Sequence, residues 1–184
     1  MKSILLILIR FAGLAWCRLH GVRPGKRNLI QGLPRIRRKG GTITLGDDVT
    51  INSAGWSNPL NDGRRTVLHA GSGGRIVLED GVGISSSRLI SYHEIILGRR
   101  SLLGAGCLIC DSDMHEVPLG SGNPVRTAAI HIGERVFIGA GCTILKGAVI
   151  GNGAVIGAGS VVSGQIEAGT LAAGNPARLV RRIE

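Results

Sequence analysis

The stretch ICDSDMHE, residues 109–116, brings acids and a histidine together: Asp111, Asp113, His115 and Glu116. An imidazole titrates near a pKa of about 6.5, so at neutral pH it can take a proton from a poor nucleophile such as an alcohol and pass it to a leaving group. That work needs one ring nitrogen facing the hydroxyl while an acceptor holds the other and fixes the tautomer. Asp111, Asp113 and a backbone carbonyl all qualify as the acceptor. A lone histidine in a loop is ordinarily solvated and idle. His115 is singled out by its position, because a regular repeat runs up to Ile109, stops, and resumes at Ile132.

That repeat is what must position the histidine. From Ile132 the chain divides into sixes: IGERVF, IGAGCT, ILKGAV, IGNGAV, IGAGSV, VSGQIE. A large aliphatic opens each hexad, the fifth residue is mostly small, and glycine is common at the second and fourth places. The same template fits LGRRSL and LGAGCL from Leu97, LEDGVG and ISSSRL from Leu78, and LGDDVT and INSAGW from Leu45. A period of six is neither helical nor a plain alternation. It predicts short strands of a solenoid, each hexad forming one flat side with a tight turn after it. Two segments break the pattern, 57–75 and 111–131, and insertions of this kind leave a solenoid as loops that often serve binding. A smaller irregularity near Ile95 and Ile96 reads as a bulge.

Composition agrees with a solenoid. The aromatics are few, namely Phe11, Trp16, Trp56, Tyr92 and Phe137, so Ile, Val, Leu and Ala must make the core. Thirty of the 184 residues are glycine, yet there is no collagen period. Cys107 and Cys142 fall on core positions of the repeat. Cys107 and Cys110 have C-x-x-C spacing, but a zinc site would need a second pair and a redox motif a helix start. The cysteines are therefore expected to pack as small apolar side chains.

Charge divides the chain differently. Residues 1–40 carry Lys2, Arg10, Arg18, Arg23, Lys26, Arg27, Arg35, Arg37, Arg38 and Lys39 and no acid, which accounts for the whole net charge of +10. The remainder, 41–184, is neutral. The apolar opening SILLILIRFAGLAWC is interrupted by Arg10 and is followed by no small-residue cleavage site. It is short for a membrane span. It predicts an amphipathic helix lying in a membrane interface, with the basic residues reaching headgroups. A helix capping the body, or packing on a neighbouring subunit, is the alternative. Nucleic acid is a poor fit, because no aromatic platform accompanies the basic segment.

The hexads resemble those of the hexapeptide-repeat acyltransferases, and ICDSDMH is similar to the Asp-x-Asp-x-His form of the galactoside, maltose and exopolysaccharide O-acetyltransferases. The resemblance covers 41–184 and implies a left-handed parallel β-helix, an all-β solenoid, here with an N-terminal helix and a short C-terminal helical segment. It implies that His115 is the catalytic base. The terminal LAAGNPARLVRRI resembles the family's segment after the last coil, and by that match Arg178 and Arg181 meet the phosphates of coenzyme A, with Arg182 as a helper. Ala140 and Ala158 match the small positions that touch the pantetheine arm. Ser163 stands where the family often has Thr-Lys, a departure that puts one coenzyme contact in doubt, and Phe137 replaces the family's usual Trp. Ser85, Ser86 and Ser87 fall near sugar-contacting positions, and Asp113 and Arg126 lie beside the base. The histidine pair of the zinc-binding relatives has no counterpart near His115, so no metal is expected.

These features predict an acetyl-CoA-dependent O-acetyltransferase acting on a sugar hydroxyl in bacterial surface polysaccharide assembly. It would work as a homotrimer in the cytoplasm, on the inner membrane face. Transfer to a small acceptor such as serine or an amino sugar, and a scaffold without catalysis, are the competing readings. Activity lost on His115→Ala separates the last of these from the rest.

Overall fold

The computed structural model describes residues 12–183. Three sheets of mostly parallel strands surround one aliphatic core, and the chain visits them in rotation. The first sheet runs from Arg23–Pro24 to Gln165–Ile166, and the second from Leu29–Gln31 to the terminal pair Thr170–Gly174 and Ala177–Arg182. The third holds Arg35–Arg38, Val67–Ala70, Arg88–Ser91, Leu108–Cys110, Thr143–Leu145 and Val161–Val162. Each circuit is one coil of a triangular prism. Where the repeat is unbroken a coil takes three hexads, as the pairing of His131 with Val149, Phe137 with Val155 and Thr143 with Val161 records.

The hexad explains the prism. Equivalent aliphatics stack at the rung spacing of about 4.8 Å, and one wall of the core reads Ile36, Leu68, Leu89, Ile109, Ile144, Val162. All are buried, and each such side chain stabilises the fold by about 1.5–3 kcal/mol. The small fifth residues Val136, Cys142, Ala148, Ala154 and Ser160 fill the corners and are buried too.

Several expectations are corrected. The ladder begins at Arg23 and not at residue 41, so the second half of the basic segment is itself the first coil. Ile36 points into the core while Arg35, Arg37 and Arg38 stay exposed, and a strand this short needs only one inward residue. The first excursion is shorter than 57–75, since Val67–Ala70 and Arg75–Leu78 are regular strands. No bulge interrupts Glu94–Leu97, which pairs in continuous register with Arg75–Leu78. The C-terminal segment is not helical: Ala177–Arg182 turns back at Asn175-Pro176 and pairs antiparallel with Thr170–Gly174. The open edge of the second sheet decides this, because its unpaired backbone groups are satisfied by a strand and not by a helix.

At the other end, residues 12–19 are helical. Cys17 is buried, Leu14 and Trp16 pack on the core, and Trp16 Nε1 donates to Pro34 O at 2.9 Å. The described part of this helix therefore sits on the first coil. Lys2 and Arg10, which with Arg18 mark the polar side of the expected interfacial helix, lie outside the described residues. Among the described residues no helix is long and apolar enough to cross a membrane.

Candidate active site

His115 leaves the prism on an excursion whose stem is locked by its acids. Asp111 is fully buried. Its carboxylate accepts from Ser91 Oγ at 2.6 Å, Tyr92 N at 2.7 Å and His93 N at 2.9 Å, which ties the exit point to the coil before it. Asp113 accepts from Lys146 Nζ at 2.6 Å, which ties it to the coil after. Ser112 and Thr127 bridge antiparallel, Asp113 N donates to Arg126 O at 3.0 Å, and Ala128 N donates to Asp111 O at 3.0 Å. Met114 takes a φ of 65°, and its N–H donates to Ser112 Oγ. Beyond it Glu116 closes the tip by accepting from Gly120 N and Gly122 N, both at 2.6 Å. His115, between stem and tip, is exposed.

Both aspartates are thus committed to holding the excursion, and the ring of His115 makes no hydrogen bond with either among the described residues. Lys146 escaped the sequence reading. It stands at the third place of ILKGAV, where the two hexads after it carry Asn152 and Ala158, and its partner is 33 residues away, so no local pattern marks it. Arg126 contributes its carbonyl to the stem while its side chain is exposed.

The residues expected at the coenzyme divide between two edges of the third sheet. Ala140 and Ala158 are stacked at the corner where the chain enters that sheet. Gly141 N donates to Ala105 O at 2.8 Å and Gly159 N to Ala140 O at 2.9 Å. The corners nest because glycine is present: a Cβ on Gly139 would come within 2.5 Å of Ala158 N. The result is a track of small residues along one edge. Ser163 is exposed at the opposite edge, where the chain leaves Val161–Val162, as the His115 excursion leaves Leu108–Cys110. Arg178 and Arg181 lie on the terminal strand, exposed, and neither pairs with a carboxylate among the described residues. Arg182, the expected helper, is paired with Glu167 at 2.8 Å. The small track and the free guanidiniums suit a pantetheine arm and phosphates respectively.

The serines divide similarly. Ser85 accepts from Asn52 Nδ2 and Asn58 Nδ2, both at 3.1 Å, and Ser87 Oγ donates to Gly104 O at 2.9 Å, so both fasten structure. Ser86 takes a φ of 42° at the turn between them and borders a cleft. The cysteines are free and buried. Burial pushes the Cys17 thiol up to about 11 and raises that of Cys110 as well.

A coil of three hexads with such an excursion has known relatives. The bacterial transferase hexapeptide (six repeats) family matches residues 129–164. WbbJ of Escherichia coli (strain K12), assigned as a lipopolysaccharide biosynthesis O-acetyl transferase, is 31% identical over 160 residues, spanning 81% of this chain and 76% of the relative. The chain belongs to the bacterial hexapeptide transferases. An assigned acetyltransferase of Mycobacterium tuberculosis (strain ATCC 25618 / H37Rv) is 30% identical over 152 residues, 77% of this chain, which spans only 50% of that protein's length. Among solved structures, AntD, an N-acyltransferase from Bacillus cereus in complex with dTDP and 3-hydroxybutyryl-CoA, matches this hexapeptide transferase with a TM-score of 0.70. It is 17% identical, over 93% of this chain and 88% of that one. A hexapeptide-repeat acetyltransferase from Vibrio cholerae O1 biovar eltor, complexed with acetyl coenzyme A, matches with a TM-score of 0.58 at 21% identity, over 93% and 75% of the two chains. At these identities the likeness is one of fold. That fold is the left-handed parallel β-helix that the family resemblance implied, and the hexapeptide transferase is an acyltransferase.

Proposed function

We propose that this hexapeptide transferase moves an acetyl group from acetyl coenzyme A to a sugar hydroxyl, in the assembly of a bacterial surface polysaccharide. The observation that carries this reading is His115, an exposed imidazole on an excursion whose stem is fixed at both sides by Asp111 and by the Asp113–Lys146 pair. His115 takes the proton of the attacking hydroxyl as its oxygen bonds to the thioester carbonyl carbon. When the carbon–sulfur bond then breaks, His115 returns that proton to the departing thiolate. A backbone N–H facing the carbonyl oxygen would stabilise the tetrahedral charge. Ala140 and Ala158 would bed the pantetheine arm, and Arg178 and Arg181 would meet the coenzyme's phosphates.

The division of these residues between two edges of one sheet supports a homotrimer. In one chain, His115 and the Ala140–Ala158 track flank opposite sides of the third sheet. A threefold assembly would set one chain's excursion against the neighbour's track and so complete the site. Sedimentation equilibrium tests this, and a monomer with full activity would rule it out. The same reading assigns residues 1–40 to peripheral contact with the inner face of the cytoplasmic membrane. Deleting residues 1–11 is expected to weaken co-sedimentation with anionic vesicles and to leave the prism intact.

The decisive assay follows thiol release from acetyl-CoA with a panel of sugars and glycans. Turnover that vanishes in His115→Ala is expected. Background rates on every acceptor, or full activity in the variant, would refute the proposal.

A further inference from the structure

The first excursion carries a cluster that the reaction above does not use. A cleft of about 700 Å³ opens beside it, lined by Arg35, Arg64, Arg65 and Arg88 together with Ser86 and Val67. Arg35, Val67 and Arg88 are the opening residues of three consecutive strands of the third sheet and face one another in register. Their two arginines therefore stand two rungs apart, about 9–10 Å along the ladder. Arg64 and Arg65 arrive at the same place from the excursion, just before Val67–Ala70. Farther along this column come Leu108, Thr143 and Val161, so the arginines are concentrated at the cleft and not spread over the sheet.

The cleft is firmly built. Ser86 Oγ donates to Arg64 O at 2.7 Å, Thr66 N donates to the buried Ser53 Oγ at 2.9 Å, and Arg65 Nε donates to Leu33 O. Its charge is largely uncompensated. Among the described residues a carboxylate pairs with only one of the four guanidiniums, Asp62 with Arg64 at 3.0 Å. A neutral sugar has no use for such a field, and a single carboxylate would answer only part of it. A phosphodiester or pyrophosphate offers several anionic oxygens, which forked guanidinium donors bind in pairs. The cleft lies on the same edge as Ala140 and Ala158, and one rung before the strand from which the His115 excursion departs. Arg178 and Arg181 lie at the far, C-terminal end of the prism.

From this arrangement we infer that the four-arginine cleft binds the phosphate or pyrophosphate of the acceptor, so that the sugar arrives already joined to an anionic carrier. The inference rests on the acetyl-transfer reading and narrows its acceptor class. A nucleotide diphosphate sugar and a prenyl diphosphate-linked sugar present the same group, and two arms of one experiment distinguish them.

The test is calorimetric titration of the full chain, saturated with coenzyme A, by inorganic pyrophosphate, UDP-glucose and farnesyl diphosphate. Binding of at least one is expected, weakened about tenfold or more by Arg35→Gln combined with Arg88→Gln, while the affinity for coenzyme A shifts by less than about twofold. Tighter binding of UDP-glucose identifies a soluble carrier, and tighter binding of farnesyl diphosphate a lipid one. Should that double variant fail to fold, Arg64→Gln with Arg65→Gln serves the same comparison. No binding of any probe at about 1 mM, undiminished binding in the variants, or a collapse of coenzyme affinity overturns the inference, the last by assigning these arginines to the coenzyme. Thiol release on free sugars without pyrophosphate binding would sink the anion site alone. Pyrophosphate binding with no thiol release on any acceptor would sink the acetyl-transfer reading alone.

Discussion

The two places where the chain leaves its coil are built on opposite plans. Between Asn52 and Val67 the excursion is held along its length mainly by neutral groups: Ser57 and Asn61 both donate to Ala54 O, Asn58 to Ser85, and Thr66 to Ser53 and to Asn52 O. Between Cys110 and Ile130 the excursion is held by charge at its stem, through Asp111 and Asp113, and beyond the stem its residues are exposed except for the half-buried Glu116. The first forms a wall beside the prism, and the second stands out as an arm. A wall suits recognition of a group that is bound and does not react. An arm suits a base that, on the proposed reading, would reach a neighbour's groove. On the proposed readings, one repeat would support two kinds of site by changing how each insertion is fastened.

The largest effect that would test this contrast is on His115. Replacing it by alanine is expected to lower kcat by about 10²–10⁴-fold with little change in thermal stability, read by thiol release and by a melting curve. If the melting temperature fell with the activity, the arm would be part of the fold and not an appendage. Asp111→Ala comes next. It removes a buried carboxylate from its three donors and leaves the N–H groups of Tyr92 and His93 unanswered, so about 3 kcal/mol of stability should be lost in denaturant titration. Stability within error of the parent would mean that the stem does not hold the coil.

Lys146→Met sharpens the contrast, because it frees Asp113 without disturbing Asp111. The pair is partly exposed, with side chains at 32% and 22%, so about 1 kcal/mol or less is at stake. Turnover is nonetheless expected to drop about tenfold as the arm loses its aim. An unchanged rate would reduce the pair to a surface contact. In the wall, Ser53→Ala removes the acceptor of Thr66 N and should cost about 1–2 kcal/mol while leaving the affinity for coenzyme A as it was. The smallest effect concerns the thiols. Buried as they are, all four should resist a thiol reagent in the native protein and react together on unfolding, and one that reacted early would locate a breathing coil.

Much of this architecture was legible in the residues. Hexads such as IGNGAV stack because each large aliphatic needs an equivalent one coil away, and that requirement survives any change on the outer face. The break at ICDSDMH was equally visible, since a rigid period makes its own interruptions conspicuous. The first coil was hidden, because Ile36 is one inward residue among arginines and the charge masks the period. The terminal strand was hidden for another reason: ARLVRR suits a helix or a strand, and the neighbouring edge decides. The assignment of the aspartates could not be read either. Asp111 and Lys146 act on partners that only the register brings close, as do Arg35 and Arg88 across the cleft.

The antiparallel return of Ala177–Arg182 has a consequence for solubility. A prism of parallel strands ends, in principle, in a bare rung onto which another copy could add, coil upon coil. Here the last rung of the second sheet faces a strand running the wrong way, edged with Arg178 and Arg181. Reversed polarity denies an incoming coil its register, and the arginines repel their own kind. Removing residues 177–184 would therefore be expected to turn a discrete particle into one that grows end to end.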